Sequence, residues 1–171
     1  MRKIITFCLL LSVLYSCHKD DHKTDSGVCD IYQTYLTNAA KVTITNGVWG
    51  TVSRMSGNCM PMFGPGPSSC THCPAQRTVK IYQYTLLSNA TSSSNSLVFF
   101  DSFNTQLVAE VAADADGFFQ ATIPPGHYTI AVVENGKLYA NGGDGQGGIN
   151  PFTLGAGLEK VNVVMSYQAV F

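Results

Sequence analysis

Apolar and polar residues alternate in short runs along most of this chain, and Gly, Pro and Asn separate the runs. The clearest runs are residues 119–123 and 128–133, where large apolar side chains fall at every second position, the period of a half-buried strand. The Pro-Pro-Gly at residues 124–126 separates them, because two missing N–H donors cannot continue a central strand. The dipeptide at residues 135–136, Asn-Gly, fits a type I′ hairpin turn, since both of its residues need positive φ. The pattern therefore predicts strands joined by tight turns.

Similar runs predict further strands at residues 41–45, 47–55, 77–86, 97–103, 106–112, 137–140 and 161–170. Residues 28–40 fit neither the helical nor the strand period well and are interpreted as a short extended or irregular lead-in. Residues 56–76 are interpreted as a long connection without secondary structure. Short strands at regular spacing with Gly and Pro turns predict an all-β fold, an antiparallel β-sandwich of about seven strands over residues 41–171.

A more specific motif runs through the same region. It reads D-G-x-F, an alternating strand, and P-P-G-x-Y-x-I-x-V. Its residues here are Asp116, Gly117, Phe119, Ile123, Pro124, Pro125, Gly126, Tyr128, Ile130 and Val132. The motif resembles the carboxypeptidase regulatory-like domains, small β-sandwiches of the transthyretin (prealbumin) type, and residues 47–53 resemble their first strand. The resemblance implies a prealbumin-like sandwich. Because such domains accompany other domains or assist their folding and binding, it also implies a non-enzymatic role.

The first residues of the chain predict its cellular address. A short basic start is followed by residues 4–15, an apolar run too short to span a bilayer. The sequence Leu-Tyr-Ser-Cys at residues 14–17 resembles a bacterial lipobox, which implies a signal peptide at residues 1–16 and lipidation of Cys17. Residues 18–21, His-Lys-Asp-Asp, resemble the export signal of Bacteroidetes-type surface lipoproteins. We therefore expect an outer-membrane protein, exposed at the cell surface, whose residues 17–40 form a lipidated tether and lead-in.

Composition narrows the possible partners. Removal of residues 1–16 takes away Arg2 and Lys3, which leaves eight basic residues against 11 acidic ones and a net charge of −3. Charged residues make up 12% of the chain, compared with about 25% in typical soluble domains. The sequence has no basic patch, so we expect no nucleic-acid partner. The expected partners are the membrane, through the lipid anchor, and an envelope protein or a glycan.

Four cysteines follow the lipidation site: Cys29, Cys59, Cys70 and Cys73. An even number in an exported protein favours disulfides, and three pairings are possible. Cys59 paired with either Cys70 or Cys73 would close the long connection, and Cys29 would then tie the N-terminal segment to the domain.

The same connection suggests a metal site as an alternative. It holds soft sulfur donors and one imidazole, namely Cys59, Met60, Met62, Cys70, His72 and Cys73. Thioethers and thiolates suit Cu(I), and a C-x-x-C pair with a third Cys and a His suits Zn(II). An oxidising compartment removes the thiolates, so disulfides are preferred and no cofactor is expected.

Other motifs lack part of the residue pattern that a known functional site requires. Residues 114–117, Asp-Ala-Asp-Gly, start like a calcium loop but lack its remaining ligands. Residues 141–148 are rich in glycine, but no Gly-Lys-Ser/Thr follows, so they are interpreted as a flexible connection. His127 is expected to be an exposed turn residue, and no Gly-x-Ser-x-Gly nucleophile motif is present.

The sequence therefore predicts a surface lipoprotein that is not an enzyme and that acts in binding or scaffolding. Its aromatic candidates for stacking on a sugar or a protein are Trp49, Tyr82 and Tyr84.

Overall fold

The structure is a computed structural model that describes residues 29–61, 69–94 and 96–171. The predicted signal peptide, Cys17 and Met62 lie outside these ranges. The described chain is mostly β, with one α-helix, α1 (Ile31–Ala40), and a short 3₁₀ turn (Leu87–Asn89). Its strands are β1 (Gly47–Asn58), β2 (Thr71–Pro74), β3 (Thr78–Gln83), β4 (Ala90–Ser92), β5 (Phe99–Phe103), β6 (Leu107–Ala112), β7 (Phe118–Ala121), β8 (Gly126–Glu134), β9 (Lys137–Tyr139), β10 (Pro151–Leu154), β11 (Leu158–Lys160) and β12 (Val163–Val170). No helix in these ranges is long or apolar enough to cross a membrane.

The first sheet is built around β1. The first half of β1 pairs with β7 and β11, and its second half pairs with β2 and β12. The pairings with β7 and β2 are antiparallel, as predicted, whereas those with β11 and β12 are parallel. Two strands share each edge of β1, and the described chain has twelve strands in all, compared with about seven predicted.

The second sheet has the order β4-β5-β9-β8-β3-β6, with β10 also paired to β8, and all its pairings are antiparallel. The predicted hairpin lies between β8 and β9, where Asn135 and Gly136 have φ of 52° and 75°. The positive φ predicted for both turn residues is therefore confirmed.

The main hydrophobic core lies between the two sheets. Val48 and Val52 of β1 are fully buried, as the alternation predicted, and they belong to one cluster with Ile81 of β3 and Ile130 of β8. A Cβ on Gly50, between the two valines, would overlap the carbonyl oxygen of Val161. Glycine at this position therefore allows the chain before β12 to approach β1 closely.

A smaller core lies on the outer face of the second sheet. It contains Tyr82, Phe100, Phe103, Ala131, Leu138, Ala140 and Ile149. The rings of Tyr82 and Phe103 meet edge to face at 5.1 Å, although β8 and β9 separate β3 from β5 in the sheet order. The end of β5 therefore crosses the outer face of the sheet and covers part of it.

Residues 31–40 form α1, so the predicted extended or irregular lead-in is wrong. Asp30 caps the helix, since its side chain accepts a hydrogen bond from the backbone N–H of Gln33. Asn38 is fully buried and donates to the hydroxyl of Thr51 and to the backbone carbonyl of Asp116. These contacts to β1 and to the turn before β7 fix the helix on the first sheet.

The strand predicted at residues 41–45 is also wrong, because side-chain contacts replace a strand ladder there. The ammonium of Lys41 binds the carboxylates of Asp114 and Asp116, and the backbone N–H of Thr43 donates to the side chain of Gln120. The connection at residues 56–76 differs from the prediction as well, since it contains the end of β1 and all of β2.

Candidate functional site

The four cysteines form two disulfides, Cys29–Cys73 and Cys59–Cys70, with Cα–Cα distances of 5.0 and 4.7 Å. Of the possible pairings, the structure has Cys59 with Cys70, and Cys29 ties the start of α1 to β2. The metal alternative at Cys59, Cys70, His72 and Cys73 loses its thiolates, because every one of these cysteines is oxidised. The described residues contain no group of three or more His, Cys, Asp or Glu placed to hold a metal ion.

The imidazole of His72 makes a contact that the sequence did not suggest. Its Nε2 lies 2.9 Å from the hydroxyl of Ser53, and the ring of Tyr35 approaches it edge-on. Burial lowers the pKa of His72 below its usual value. Ser53 is completely buried, so its hydroxyl is out of reach of a substrate. The pair instead satisfies a buried hydroxyl on the face of β1 that α1 covers.

The Asp-Ala-Asp-Gly turn holds a lysine ammonium. Lys41 Nζ lies 2.7 Å from Asp114 Oδ2 and 2.6 Å from Asp116 Oδ2, while Asp114 Oδ1 accepts from two backbone N–H groups of its own turn. Burial by itself raises the pKa of Asp114, but the hydrogen bond from Lys41 and those from the turn outweigh it and lower that pKa. The hydrogen bonds to both carboxylates raise the pKa of Lys41. This turn thus anchors the chain after α1.

A groove of about 390 Å³ opens beside the glycine-rich segment at residues 141–148, which we call the glycine loop. The floor of the groove is made of Phe100, Ala140 and Ile149, which belong to the smaller core and are 1–2% exposed. Leu87 and Leu97 form its rim and are 56% and 88% exposed. We call this the glycine-loop groove. It brings exposed apolar side chains and a buried apolar floor together at one place.

The glycine loop is braced by hydrogen bonds, whereas the sequence predicted a flexible connection. The Tyr84 hydroxyl donates to Asp144 Oδ2 at 2.6 Å, and Asp144 Oδ1 accepts from the backbone N–H groups of Gln146 and Gly148. A Cβ on Gly148 would overlap both the Asp144 carboxylate and the Tyr84 hydroxyl, so the brace requires glycine there. Leu87 N–H also donates to the carbonyl of Gly147, which fixes the loop against the rim of the groove.

The hydrogen bonds between Tyr84, Asp144 and the loop amides, which we call the Tyr84–Asp144 brace, also shift the pKa values of both side chains. The hydrogen bond from Tyr84, together with those from the loop amides, lowers the pKa of Asp144. The same hydrogen bond to Asp144 raises the pKa of Tyr84. Asp144 therefore stays ionised at a more acidic pH than an ordinary aspartate, and its carboxylate is fully engaged by the loop and by Tyr84.

We expect Asp144→Ala to speed amide hydrogen exchange at Gln146 and Gly148, because both N–H groups lose their carboxylate acceptor. In the unmodified chain this protection is present while Asp144 is ionised and is lost as the pH falls through its lowered pKa. Protection should therefore persist below about pH 3.9, the ordinary pKa of aspartate. Exchange followed by NMR tests this, with Asp101→Ala on β5 as the control that leaves both amides unchanged. Equal exchange rates in Asp144→Ala and the unmodified chain would contradict the brace.

The three aromatic candidates have different surroundings. Tyr82 is 8% exposed and packs in the smaller core, so it offers no platform to a ligand. Trp49 is half-buried, with the ammonium of Lys160 over its ring at 5.1 Å. The ring of Tyr84 is stacked on that of His127 at 4.3 Å, and His127 is exposed, as predicted, but it lies on β8 and not in a turn. Of the three, only Tyr84 contributes to the glycine-loop groove, through its brace on Asp144.

No model of a known protein family, no curated protein and no solved structure matches the chain. Its function must therefore be argued from its own residues. Sequence reasoning missed the groove because its parts come from three separate segments, around Leu87, Leu97 and the glycine loop. The one available signal was the run of glycines at residues 141–148.

Proposed function

We propose that this chain is an exported lipoprotein, anchored through lipidated Cys17, whose β-sandwich acts at the cell surface by binding and not by catalysis. The observation that carries the binding role is the glycine-loop groove, a braced concavity with an apolar floor and exposed apolar rims. Its volume lies within the usual range of about 300–1,000 Å³ for ligand sites. A binding or scaffolding role toward another envelope component fits this surface.

The two disulfides support the proposed address. Disulfides form and persist in exported proteins, whereas the cytosol keeps thiols reduced. Cys29–Cys73 and Cys59–Cys70 together use every cysteine that follows the predicted lipidation site. The four thiols that could react in the cytosol are thus accounted for by structural cross-links.

The proposal includes a prealbumin-like architecture. Its support is the region that carries the resemblance, residues 116–132, which spans a turn, two strands and a sharp second turn. The Tyr128 hydroxyl donates to the carbonyl of Pro124 at 2.8 Å, so the tyrosine of the motif fixes the Pro-Pro-Gly turn. A Cβ on Gly126 would crowd the ring of Tyr128, which explains the glycine of the same motif.

Measurement of intact mass with thiol alkylation tests both the proposed localisation of the protein and the oxidation state of its cysteines. We expect protein purified from membranes to lack residues 1–16, to carry acyl chains on Cys17, and to resist alkylation until it is reduced. After reduction four thiols should react, with or without prior exposure to copper or zinc. Cys17→Ala should release a folded protein from the membrane fraction, and protease added to intact cells should cleave only the anchored form. A retained signal segment, or thiols that alkylate only after metal is stripped, would refute the proposal.

A further inference from the structure

We propose that the glycine-loop groove takes an uncharged apolar side chain presented by an extended segment of a partner protein. This inference rests on the proposed binding function and names the class of partner for that site. Three features of the groove argue for it: its apolar depth, its lack of charge, and the free backbone groups along one wall.

The apolar depth favours a side chain and not a flat contact. The floor residues belong to the smaller core, so an inserted group would touch that core directly. Leu97, which is 88% exposed, and Leu87, which is 56% exposed, would both lose contact with water when the groove is filled. Burial of such apolar surface drives most protein association.

The absence of charge excludes a charged anchor. Among the described residues, no Asp, Glu, Lys or Arg side chain lines the groove. Asp144 is on the glycine loop, and both its oxygens already accept hydrogen bonds, from Tyr84 and from the loop amides. A charged side chain inserted into the groove would lose its hydration without gaining a partner, which is costly.

The backbone of the glycine loop distinguishes a protein segment from other apolar ligands. Gly143 and Gly145 both line the groove and are exposed. In the described part of the chain, the N–H and C=O groups of these two glycines make no hydrogen bond to protein, whereas the carbonyls of Gly142 and Gly147 accept from the backbone N–H groups of Asn150 and Leu87. An extended segment supplies main-chain donors and acceptors that can pair with such groups. An acyl chain would cover the same groups and leave them unpaired.

The groove is also formed before any partner arrives. The Tyr84–Asp144 brace and the hydrogen bond from Leu87 to Gly147 hold the wall in place. A site that needs little ordering on binding retains more of its contact free energy as affinity.

The test selects phage-displayed random linear peptides on the full chain and measures synthetic versions by fluorescence anisotropy. We expect selected peptides to share one Leu, Ile, Met or Phe, and to lose binding when that residue becomes Asp or when the amide beside it is N-methylated. Leu97→Asp should weaken binding by about tenfold or more, as for a central interface anchor. The matched control is Leu36→Asp, which changes an exposed leucine on α1, 65% exposed, and should leave affinity unchanged.

Leu97→Ser provides a second rim variant, and thermal unfolding confirms that each variant folds. Peptides that bind Leu97→Asp and Leu97→Ser as tightly as the unmodified chain would overturn the inference, as would a selection that enriches nothing. If either result occurs while the mass and alkylation experiment gives its expected outcome, only the proposed peptide site is refuted. The proposal of a surface lipoprotein is then unaffected. A retained signal segment, or thiols that metal protects from alkylation, would refute the proposed function itself.

Discussion

Replacing Cys29 and Cys73 together with serine is expected to lower the free energy of unfolding by about 4 kcal/mol. The same change at Cys59 and Cys70 should cost about 3 kcal/mol, because a cross-link constrains the unfolded chain more when it closes a longer loop. The paired cysteines are 44 residues apart in the first disulfide and 11 in the second. Urea unfolding of both double variants, fitted with a common slope, measures the two values.

Loss of the Cys29–Cys73 disulfide should also loosen α1 more than the rest of the domain. The helix would keep Asn38 and the Lys41 contacts at its C-terminal end but lose its tie to β2 at the N-terminal end. Hydrogen exchange at residues 33–37 reports this, and the Cys59/Cys70 double variant is the control. If the shorter loop proved the more costly one to open, chain entropy would not be the main contribution of these cross-links.

The second large effect is expected from Glu134→Gln, at about 2 kcal/mol of lost stability. The side chain of Glu134 is 4% exposed and accepts from the guanidinium of Arg77 and, at 2.6 Å, from the hydroxyl of Tyr167. Glu134 lies on β8 and Tyr167 on β12, so this carboxylate joins the two sheets. Removing one charge of such a pair leaves the other poorly solvated, and Arg77, 30% exposed, recovers only part of its hydration.

Glu110→Gln is the matched control. Glu110 also lies on a strand of the second sheet and binds a basic side chain, Lys80 at 3.2 Å, but it is 48% exposed. Exposed pairs of this kind contribute about 0.2–1 kcal/mol. Equal losses in the two variants would contradict the role given to burial.

The effect of Glu134→Gln should depend on pH in a defined direction. Burial alone raises the pKa of Glu134, but the hydrogen bonds from Arg77 and Tyr167 outweigh it and hold the pKa below its usual value. A lowered pKa stabilises the folded state above the unfolded value, about 4.3, and this contribution is lost as the pH falls through the folded pKa. The two proteins should thus differ fully at pH 7 and converge below about pH 4. A difference that stays constant across this range would show that packing and not charge is responsible.

Local pattern was enough to predict the longer strands, such as β1, β3 and β8, but it missed short strands such as β2 and the helix. The β8–β9 hairpin follows from alternation and one Asn-Gly turn, all within about 15 residues. In α1, Tyr32, Thr34 and Tyr35 are weak helix formers that also suit strands, so propensity could not decide. What decides is Asn38, which donates to Thr51 and to the carbonyl of Asp116, and these partners are distant in sequence.

The glycine-loop groove was even harder to predict from local pattern than the helix. The glycine run was visible, but its order depends on Tyr84, 60 residues before Asp144. A hydrogen bond between residues so far apart produces no periodic pattern in the sequence. The disulfide pairing was likewise open until the register of β1 with β2 placed Cys73 opposite Arg54, beside the start of α1.

The central position of β1 has a consequence for the time course of folding. Val52 lies beside Val163 in the register, so one edge of β1 has no partner until residues 158–170 have been delivered. Contacts between residues so distant in sequence form slowly, and an unpaired apolar strand is open to aggregation meanwhile. Under the export proposed above, the chain crosses a membrane from its N-terminus onward, so the first sheet can close only after residues 158–170 have crossed. A chain exported in this way would need protection from aggregation on the far side of that membrane until β11 and β12 arrive.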